Sequence, residues 1–212
     1  MSRKLLLIGG GGHCRSVLDS ILAAGIYDEI GIVDKDRGSA INGAVFVGND
    51  DGLPALFRGG WKEAFITVGS IGDTALRRRL KALVCGIGFE LPVITDPSAV
   101  LARDVILHPG VFIGKRAVVN AGSEIGTCAI INSGAIVEHD CRVGSFAHVS
   151  PGAVLCGQTT AGDDVHIGAG SVVKQGVQIG AGAMIGAGSV VLKDIPAQAA
   201  AWGNPCRVAR ES

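Results

Sequence analysis

Four ionisable side chains lie within the stretch VEHDCRVGSFAHV, residues 137–149, in a half of the chain that is otherwise rich in aliphatic residues, glycine and alanine. They are Glu138, His139, Asp140 and His148. Histidine is the side chain best suited to accept a proton near neutral pH, and a carboxylate beside it can fix its tautomer and stabilise the imidazolium. His139 and Asp140 are therefore candidates for a general base and for the group that raises its basicity.

A six-residue repeat runs through the second half of the chain and positions this pair. Every sixth residue from Leu101 to Val191 is Leu, Ile or Val at fifteen of sixteen places, the exception being Ala161. The residue two places earlier is always Ala, Val, Ser, Thr or Cys. A repeat with one bulky and one small inward residue is typical of a parallel β-helix, in which three hexapeptides make one triangular coil. Residues 18 positions apart should then stack on neighbouring coils, about 4.8 Å apart.

The repeat predicts which residues of the stretch face outward. Val137 is an inward aliphatic position, so His139 and Asp140 are expected at a corner of the coil, facing solvent or a neighbouring subunit. Cys141 falls in the small inward series, and a thiol buried there is a poor nucleophile. The alternative interpretation of His139 and Asp140 is a pair of solvated turn residues.

Stacking by 18 residues predicts neighbours for the histidines. Gly157 is expected directly over His139 on the next coil, where its missing side chain leaves room for a substrate carbonyl and exposes a backbone N–H. His148 is expected to stack on His166, to which we assign only a structural role.

The first half of the chain alternates between strand and helix patterns and predicts a small parallel α/β unit. The predicted strands are KLLLIG (4–9), EIGIVDKD (29–36), AFITVG (64–69) and, more weakly, GFELPVI (88–94), and the predicted helices lie near 13–24 and 73–86. Ligands of such sheets bind in the crevice at the carboxyl ends of the strands. The loop from Gly9 to His13, together with Asp34 and Gly69, is expected at those ends.

The loop GGGGHCR, residues 9–15, resembles a dinucleotide-binding motif only in part. The pattern G-x-G-x-x-G fails because Cys14 or Arg15 occupies the place of the last glycine, so NAD binding is not expected. A glycine loop that opens a helix still offers backbone N–H groups and the helix dipole to a phosphate. The alternative is a turn needed only for tight packing of the strand against the helix.

The composition of the whole chain excludes several classes of partner. Among 212 residues, 48% are hydrophobic and 18% charged, and 19 basic residues balance 19 acidic ones, so no overall field attracts nucleic acid or an anionic membrane. No apolar run is long enough for a membrane span or a signal peptide, and six cysteines without a C-x-x-C pair argue against a zinc knuckle or a disulfide framework. We expect a cytoplasmic protein with an α/β domain in residues 1–95 and a β-helix domain in residues 96–212.

The chain resembles one known family in both halves. The six-residue register, the closing GNP segment (203–205), the block VEHDC...FAHVSPG and the N-terminal LLLIGGGGH are similar to the hexapeptide-repeat acyltransferases, and within them to the bacterial nucleotide-sugar N-acetyltransferase and sialic acid O-acetyltransferase family. The resemblance implies a Rossmann-like α/β domain, a left-handed parallel β-helix and a homotrimer. It also implies transfer of acetyl from acetyl-CoA to the amino group of a nucleotide-linked amino sugar of the 4-amino-4,6-dideoxy type, for bacterial surface glycans such as O-antigen. A sugar hydroxyl, as in sialic acid O-acetylation, is the alternative acceptor.

The resemblance assigns residues to the substrates. His139 would be the general base and Asp140, where many members carry Glu, would raise its basicity, with direct transfer and no acyl-enzyme. The positions for acetyl-CoA are His148, Gly157, Ala169 and Ala187, of which the two alanines would form the floor of a groove for the pantetheine arm. The positions for the nucleotide sugar are Gly11, Gly12, His13, Asp34, Lys35 and Gly69. Lys35 departs from the family, where a second acidic residue often follows the aspartate, and no metal is expected.

Two other classes of function remain open from the sequence. A trimeric β-helix carbonic anhydrase holds zinc with histidines spaced by five, whereas His139, His148 and His166 are separated by 9 and 18 positions. A solenoid without catalysis would act as a scaffold or a binding surface. Turnover of acetyl-CoA would distinguish an acetyltransferase from both.

Overall fold

A computed structural model describes residues 2–35 and 41–209 of the chain. The N-terminal part is a four-stranded parallel sheet in the order β3-β2-β1-β4, and it confirms the predicted α/β unit. Its strands are β1 (Lys4–Ile8), β2 (Glu29–Val33), β3 (Val45–Gly48) and β4 (Glu63–Ile66), its helices are α1 (Gly12–Ala24), α2 (Leu53–Arg58) and α3 (Ala75–Ile87), and a 3-10 turn spans Asp50–Gly52. Leu5 and Leu7 of β1 pack with α1, whereas Leu6 and Ile8 pack with α2 and α3, because alternate strand residues point to opposite faces.

Strand β3 and helix α2 are absent from the sequence prediction. Val45 and Phe46 of β3 are exposed at the edge of the sheet, so they give no alternation of apolar and polar residues that would mark a strand. Helix α2 has only six residues, too few for a helical period to stand out. The last residue of the predicted second strand, Asp36, lies outside the described residues.

The prediction of GFELPVI as a further strand of this sheet is wrong. Glu90 makes a single bridge to Glu63, and the following segment leaves the sheet. Pro92 has no N–H to donate to a ladder, which prevents regular pairing. Strand β5 (Ile94–Thr95) instead pairs with a strand of the second domain, so the first strand of the β-helix begins at Ile94.

The second domain is a triangular prism of parallel strands, and its three sheets confirm the predicted β-helix. We name the sheets by their outer surfaces. The docking face consists of β5, β8 (Phe112–Ile113), β11 (Ile130–Ile131), β14 (His148–Val149), β17 (His166–Ile167), β20 (Met184–Ile185), β22 (Ala200–Gly203) and β23 (Cys206–Val208). The apolar face consists of β6 (Val100–Leu101), β9 (Val118–Val119), β12 (Ile136–Val137), β15 (Val154–Leu155), β18 (Val172–Val173) and β21 (Val190–Val191). The polar face consists of β7 (Ile106–Leu107), β10 (Glu124–Ile125), β13 (Arg142–Val143), β16 (Thr160–Ala161) and β19 (Gln178–Ile179).

The interior of the prism is built from the six-residue series. Strands pair with strands 18 residues away, as in Ile113 with Ile131, then Val149, then Ile167. From Ile113 to Val191 every aliphatic member of the series is at most 3% exposed. Burying each of these side chains contributes roughly 1.5 to 3 kcal/mol, so the stack of coils makes one continuous core.

The α/β unit packs on the docking face, and the segment with β22 and β23 closes the C-terminal end of the prism. Outward-facing Phe112 and Ile130 join the core around α1, whereas Cys128 and Phe146, at the corner of the polar and docking faces, join the core around α3. At the other end β22 pairs with β20, and β23 folds back antiparallel on β22. Ala201 is buried at the end of the main core, as a cap requires.

Candidate active site

The His139–Asp140 pair lies at the corner where the apolar face meets the polar face. It follows Val137 of β12 and precedes Arg142 of β13. His139 Nδ1 and Asp140 Oδ2 are 2.9 Å apart, and the two side chains are 50% and 59% exposed. Asp140 has φ of 58°, a left-handed conformation that aspartate adopts more readily than most residues. With Nδ1–H donating to the carboxylate, Nε2 keeps a lone pair that can accept a proton.

Gly157 lies on the next coil against the ring of His139. A Cβ atom at this position would overlap Nε2 of His139, so a side chain here would displace the imidazole. The backbone N–H of Gln158 donates to the His139 carbonyl at 2.8 Å, which ties the two corners together. No acceptor in residues 2–35 and 41–209 takes the Gly157 N–H. That N–H is therefore available to an oxyanion that develops beside the base.

Cys141 is oriented into the prism, as its place in the small inward series indicates. It has no exposed surface, and its thiol donates to the carbonyl of Cys156 at 3.3 Å. Burial raises the pKa of the Cys141 thiol. A buried thiol of raised pKa cannot attack a substrate at neutral pH, so the geometry gives no support to a cysteine nucleophile.

His148 lies on the docking face, where both of its ring nitrogens are bonded. Nδ1 is 3.0 Å from the carbonyl oxygen of Ser70, and Nε2 is 3.1 Å from Nδ2 of Asn132. The Asn132 side-chain oxygen accepts the N–H of Ser133 at 2.8 Å, which leaves its NH₂ group to donate to His148. The proton of His148 is therefore on Nδ1, donated to Ser70. Burial lowers the pKa of His148 to about 4, so the ring is neutral at neutral pH.

Ser70 and Asn132 are site residues that sequence reasoning missed. Ser70 is 78 positions from His148 in the chain, and the two meet only because the α/β unit packs on the docking face. The stacking of residues 18 positions apart could have identified Asn132 from the sequence. It stands in a column with Gly114, Ser150, Gly168 and Gly186, where a larger polar side chain is unusual.

A groove of about 440 Å³ continues along the docking face from His148. Its lining includes Ala169 and Ala187, the two alanines expected to form a floor, together with His166 and Trp202. The His148 and His166 rings meet edge to face with centroids 5.1 Å apart. Burial lowers the pKa of His166, and its Nδ1 has no partner in the described part of the chain.

The glycine loop after β1 has a packed half and an open half. Gly9 has φ of 105°, and the Gly10 N–H donates to Oδ2 of Asp34 at 2.5 Å. Cβ atoms at Gly11 and Gly12 would meet nothing within 4 Å. Tight packing therefore accounts for the first two glycines and leaves Gly11 and Gly12, at the N-terminus of α1, free for a phosphate.

His13 borders this loop and turns towards the prism. Its ring is edge-on to Phe112 with centroids 5.5 Å apart, and Gly69 lies against its Cβ, where an added Cβ would be at 3.5 Å. Burial, with smaller contributions from the Arg77 charge and from His148, lowers the pKa of His13 to about 4. Nε2 of His13 is buried with no hydrogen-bond partner among the described residues. Lys35, by contrast, is exposed at the end of β2.

Within one chain, the predicted site residues form two separate groups. The group on or beside the docking face comprises Gly11, Gly12, His13, Asp34, Lys35, Gly69, His148, Ala169 and Ala187. The second group comprises His139, Asp140 and Gly157, at the opposite corner of the prism, between the apolar and polar faces. The base of one chain therefore lies on a different side of the prism from the groove and the glycine loop of that same chain.

Within residues 2–35 and 41–209, no three His, Cys, Asp or Glu side chains are grouped so that they could hold a metal ion. In the same ranges no helix is both long and apolar enough to cross a membrane.

Comparisons with known proteins match both domains. Residues 4–82 match the family model of the PglD N-terminal domain, and residues 162–193 match that of the bacterial transferase hexapeptide (six repeats). Comparison with curated protein sequences finds no match.

Solved structures resemble the chain over its whole length. The acetyltransferase domain of PglB from Neisseria gonorrhoeae, in complex with acetyl coenzyme A, is 34% identical with a TM-score of 0.92, over 99% of this chain and 100% of that one. PerB from Caulobacter crescentus, in complex with CoA and GDP-perosamine, is 39% identical with a TM-score of 0.91, over 97% of each chain. WeeI from Acinetobacter baumannii, 18% identical with a TM-score of 0.62 over 98% of this chain and 100% of that one, shares the fold.

Proposed function

Because this chain belongs to the family of hexapeptide-repeat nucleotide-sugar N-acetyltransferases, we propose that it transfers acetyl from acetyl-CoA to the amino group of a nucleotide-linked amino sugar of the 4-amino-4,6-dideoxy type. The observation that carries the proposal is the His139–Asp140 pair with Gly157 packed against its free nitrogen. A relative from Caulobacter crescentus, 38% identical, is a perosamine N-acetyltransferase, which favours an amine over a hydroxyl as the acceptor.

Proton transfer is proposed to take place at the His139 corner. Nε2 of His139 accepts a proton from the sugar amine as the amine nitrogen attacks the carbonyl carbon of the thioester. Asp140 accepts Nδ1–H and stabilises the imidazolium, and the Gly157 N–H donates to the oxyanion of the tetrahedral intermediate. When the intermediate collapses, the carbon–sulfur bond breaks, and coenzyme A leaves as a thiol after it takes the proton back from His139. The N–C amide bond replaces the S–C bond with no acyl-enzyme.

The docking-face groove is proposed to hold acetyl-CoA. Ala169 and Ala187 have side chains short enough to let a pantetheine arm lie along the coils. Because Ser70 and Asn132 occupy both nitrogens of His148, that ring contributes a rigid neutral wall at the acetyl end.

The α/β unit is proposed to hold the nucleotide sugar. Gly11 and Gly12 leave the N-terminus of α1 open to the diphosphate, whose charge the helix dipole and backbone N–H groups stabilise. Asp34 and Lys35, which follow β2 at the carboxyl end of the sheet, are proposed to contact the nucleoside. His13, which borders the loop and has Gly69 packed against its Cβ, is proposed to line the sugar site. The α/β domain is thus proposed to bind the acceptor, and the β-helix domain to bind the donor and supply the base.

A homotrimer is proposed because one chain does not assemble the site. The apolar face supports it: the outward residue of each of its six strands is Val or Ile, namely Val100, Val118, Ile136, Val154, Val172 and Val190. Val100 is 61% and Val172 39% exposed in the single chain. A continuous apolar stripe of this kind marks an interaction surface. Packing it around a three-fold axis brings the adjacent His139 corner of one chain towards the docking face of the next. We place this trimer in the cytoplasm, in the assembly of a bacterial surface glycan.

The test is acetyl-CoA turnover with a panel of 4-amino sugars linked to UDP, GDP or dTDP. We expect thiol release with at least one of them and an amide product that resists hydroxylamine. An ester product, cleaved by hydroxylamine, would contradict N-acetylation. No thiol release with any sugar, or dependence of the activity on a tightly bound zinc, would contradict the proposed function.

A further inference from the structure

Arg77 is a buried cation at the junction of the two domains. It lies in α3 and is 2% exposed. Its guanidinium donates to the carbonyl of Cys128 and, at 3.2 Å, to the carbonyl of Phe146. These residues are 18 apart and both have left-handed φ, so Arg77 binds the same corner position on two neighbouring coils. Burial lowers the pKa of Arg77 to about 10, which leaves it charged at neutral pH.

The third contact of Arg77 leads to the active site. Nη1 donates to Oγ of Ser70 at 3.3 Å, and the carbonyl of Ser70 accepts Nδ1–H of His148 at 3.0 Å. Ser70 follows Gly69, which packs against His13. The Arg77 side chain therefore links the corner between the polar and docking faces to the loop that contains Ser70. Through Ser70 it is also linked to His148 at the donor groove.

Burial of the Arg77 charge opposes folding unless other interactions compensate for it, because a guanidinium loses its hydration when it leaves water. No carboxylate forms an ion pair with Arg77 in the described part of the chain, and its Nε has no partner there. An apolar side chain would fill the site without that cost. The planar guanidinium of Arg77, by contrast, has several N–H donors that can hold Ser70 and two carbonyls of the prism in one fixed arrangement.

We propose that Arg77 is a positioning residue, which holds Ser70 against the prism so that the Ser70 carbonyl fixes the Nδ1–H tautomer of His148. The inference rests on the proposed function, because it concerns the histidine assigned to the acetyl end of the donor. Arg77 touches neither substrate and acts through Ser70 and His148.

Arg78 provides a matched control on the same helix. It binds Asp164 through two hydrogen bonds of 2.9 and 2.6 Å and so joins α3 to the same edge of the prism, on the next coil. It makes no contact with Ser70 in the described part of the chain. If docking of the helix were all that mattered, loss of Arg78 and loss of Arg77 would have similar consequences at His148.

The experiment is nitrogen NMR of ¹⁵N-histidine-labelled protein, with the His148 signals assigned by their loss in His148→Asn. In the wild type we expect a neutral ring protonated on Nδ1. In Arg77→Met we expect a mixture of tautomers and a fall in kcat/KM for acetyl-CoA of about tenfold or more. In Arg78→Met we expect the wild-type His148 signals and activity within about twofold. A wild-type His148 spectrum in folded Arg77→Met would overturn the proposal.

Ser70→Ala covers the case in which Arg77→Met does not fold. It removes only the hydroxyl that Arg77 holds and keeps both the carbonyl bonded to His148 and the contacts of Arg77 with the prism. We expect the same change of tautomer, smaller in extent, and an unchanged spectrum would overturn the proposal. The NMR readout needs no turnover, so failure of the acetyltransferase assay and failure of this inference are distinguishable.

Discussion

At the scale of single residues, the site contains two histidines in opposite situations. His139 is half exposed and bonded to one carboxylate, whereas His148 is bonded on both nitrogens and has a pKa that burial lowers to about 4. A general base must gain and release a proton during each cycle near neutral pH. His148 cannot do so, because protonation would direct an N–H at the NH₂ group of Asn132. The base is therefore assigned to His139.

Replacing His139 tests that assignment. His139→Ala should lower acetyl transfer by roughly two to four orders of magnitude, the usual loss when a general base is removed. Its melting temperature should stay close to that of the wild type, because the side chain is half exposed. The measurement is thiol release at saturating substrates. His108→Ala is the control, since His108 is also an exposed histidine bonded to a carboxylate, 2.8 Å from Glu124. Activity near wild type in His139→Ala would remove it from the mechanism.

Gly157 gives a second residue-scale prediction. Gly157→Ala would place a Cβ atom over the His139 imidazole, and the exposed ring can rotate away at little cost to folding. We expect kcat to fall by about tenfold to a hundredfold, because base and oxyanion donor lose their common geometry, while the unfolding temperature changes little. Gly86→Ala, where an added Cβ meets nothing within 4 Å, should leave kcat unchanged. A wild-type kcat in Gly157→Ala would contradict a role for this close contact.

The sequence predicts the placement of a residue when that placement depends on the repeat. Counting by six assigns Cys141 to the interior, and counting by 18 places Gly157 over His139, because coil geometry is periodic. The contacts of Ser70 and Arg77 are not periodic. They depend on how α3 and the loop before it pack across the docking face, which no local pattern encodes.

At the scale of elements, Asp96 joins helix α1 to the first coil. Its side chain is buried and accepts hydrogen bonds from Ser20 of α1 at 2.6 Å, from the Ser98 N–H at 2.9 Å and from Lys115 at 3.2 Å. Burial alone would raise the pKa of Asp96, but these donors together hold it well below its usual range. The sequence could not indicate this junction, because Ser20 and Asp96 are 76 positions apart.

Asp96→Asn should lower the free energy of unfolding by about 1 to 3 kcal/mol, because an amide cannot accept all of these hydrogen bonds. The folded-state pKa of Asp96 lies below that of the unfolded chain, about 3.9, so its contribution is fully present above that pH and is lost as pH falls below it. The gap between wild type and variant in urea unfolding should therefore narrow below about pH 4. Asp19→Asn, which removes the exposed partner of Lys115, should cost less than about 1 kcal/mol. An equal loss of unfolding free energy in Asp96→Asn and Asp19→Asn would contradict this role of Asp96.

At the scale of the whole molecule, the fold of one chain separates the His139 corner from the proposed substrate-binding regions on the docking face. The α/β unit packs on part of the docking face, whereas the His139 corner borders the apolar face on the other side of the prism. The repeat explains why the sequence predicts the prism well but not this division. Every coil looks alike, and only the docked unit and the stripe of valines give the three faces different roles.

Mixing two inactive chains tests whether each site draws on two subunits. One chain carries His139→Ala, and the other carries Gly12→Asp, which sets a carboxylate where the sugar diphosphate is proposed to lie, at a position where an added Cβ atom meets nothing within 4 Å. Suppose that the base of a site comes from one subunit and the sugar loop from the next. In a refolded equal mixture, the first subunit has an intact His139 in about half of the sites, and the second has an intact Gly12 in about half of those. About a quarter of the sites then contain both an intact base and an intact loop. About a quarter of the wild-type thiol release per site should then return, although each variant alone is inactive. If the base and the loop of a site belonged to the same chain, every site in the mixture would carry one defect, and no activity would return.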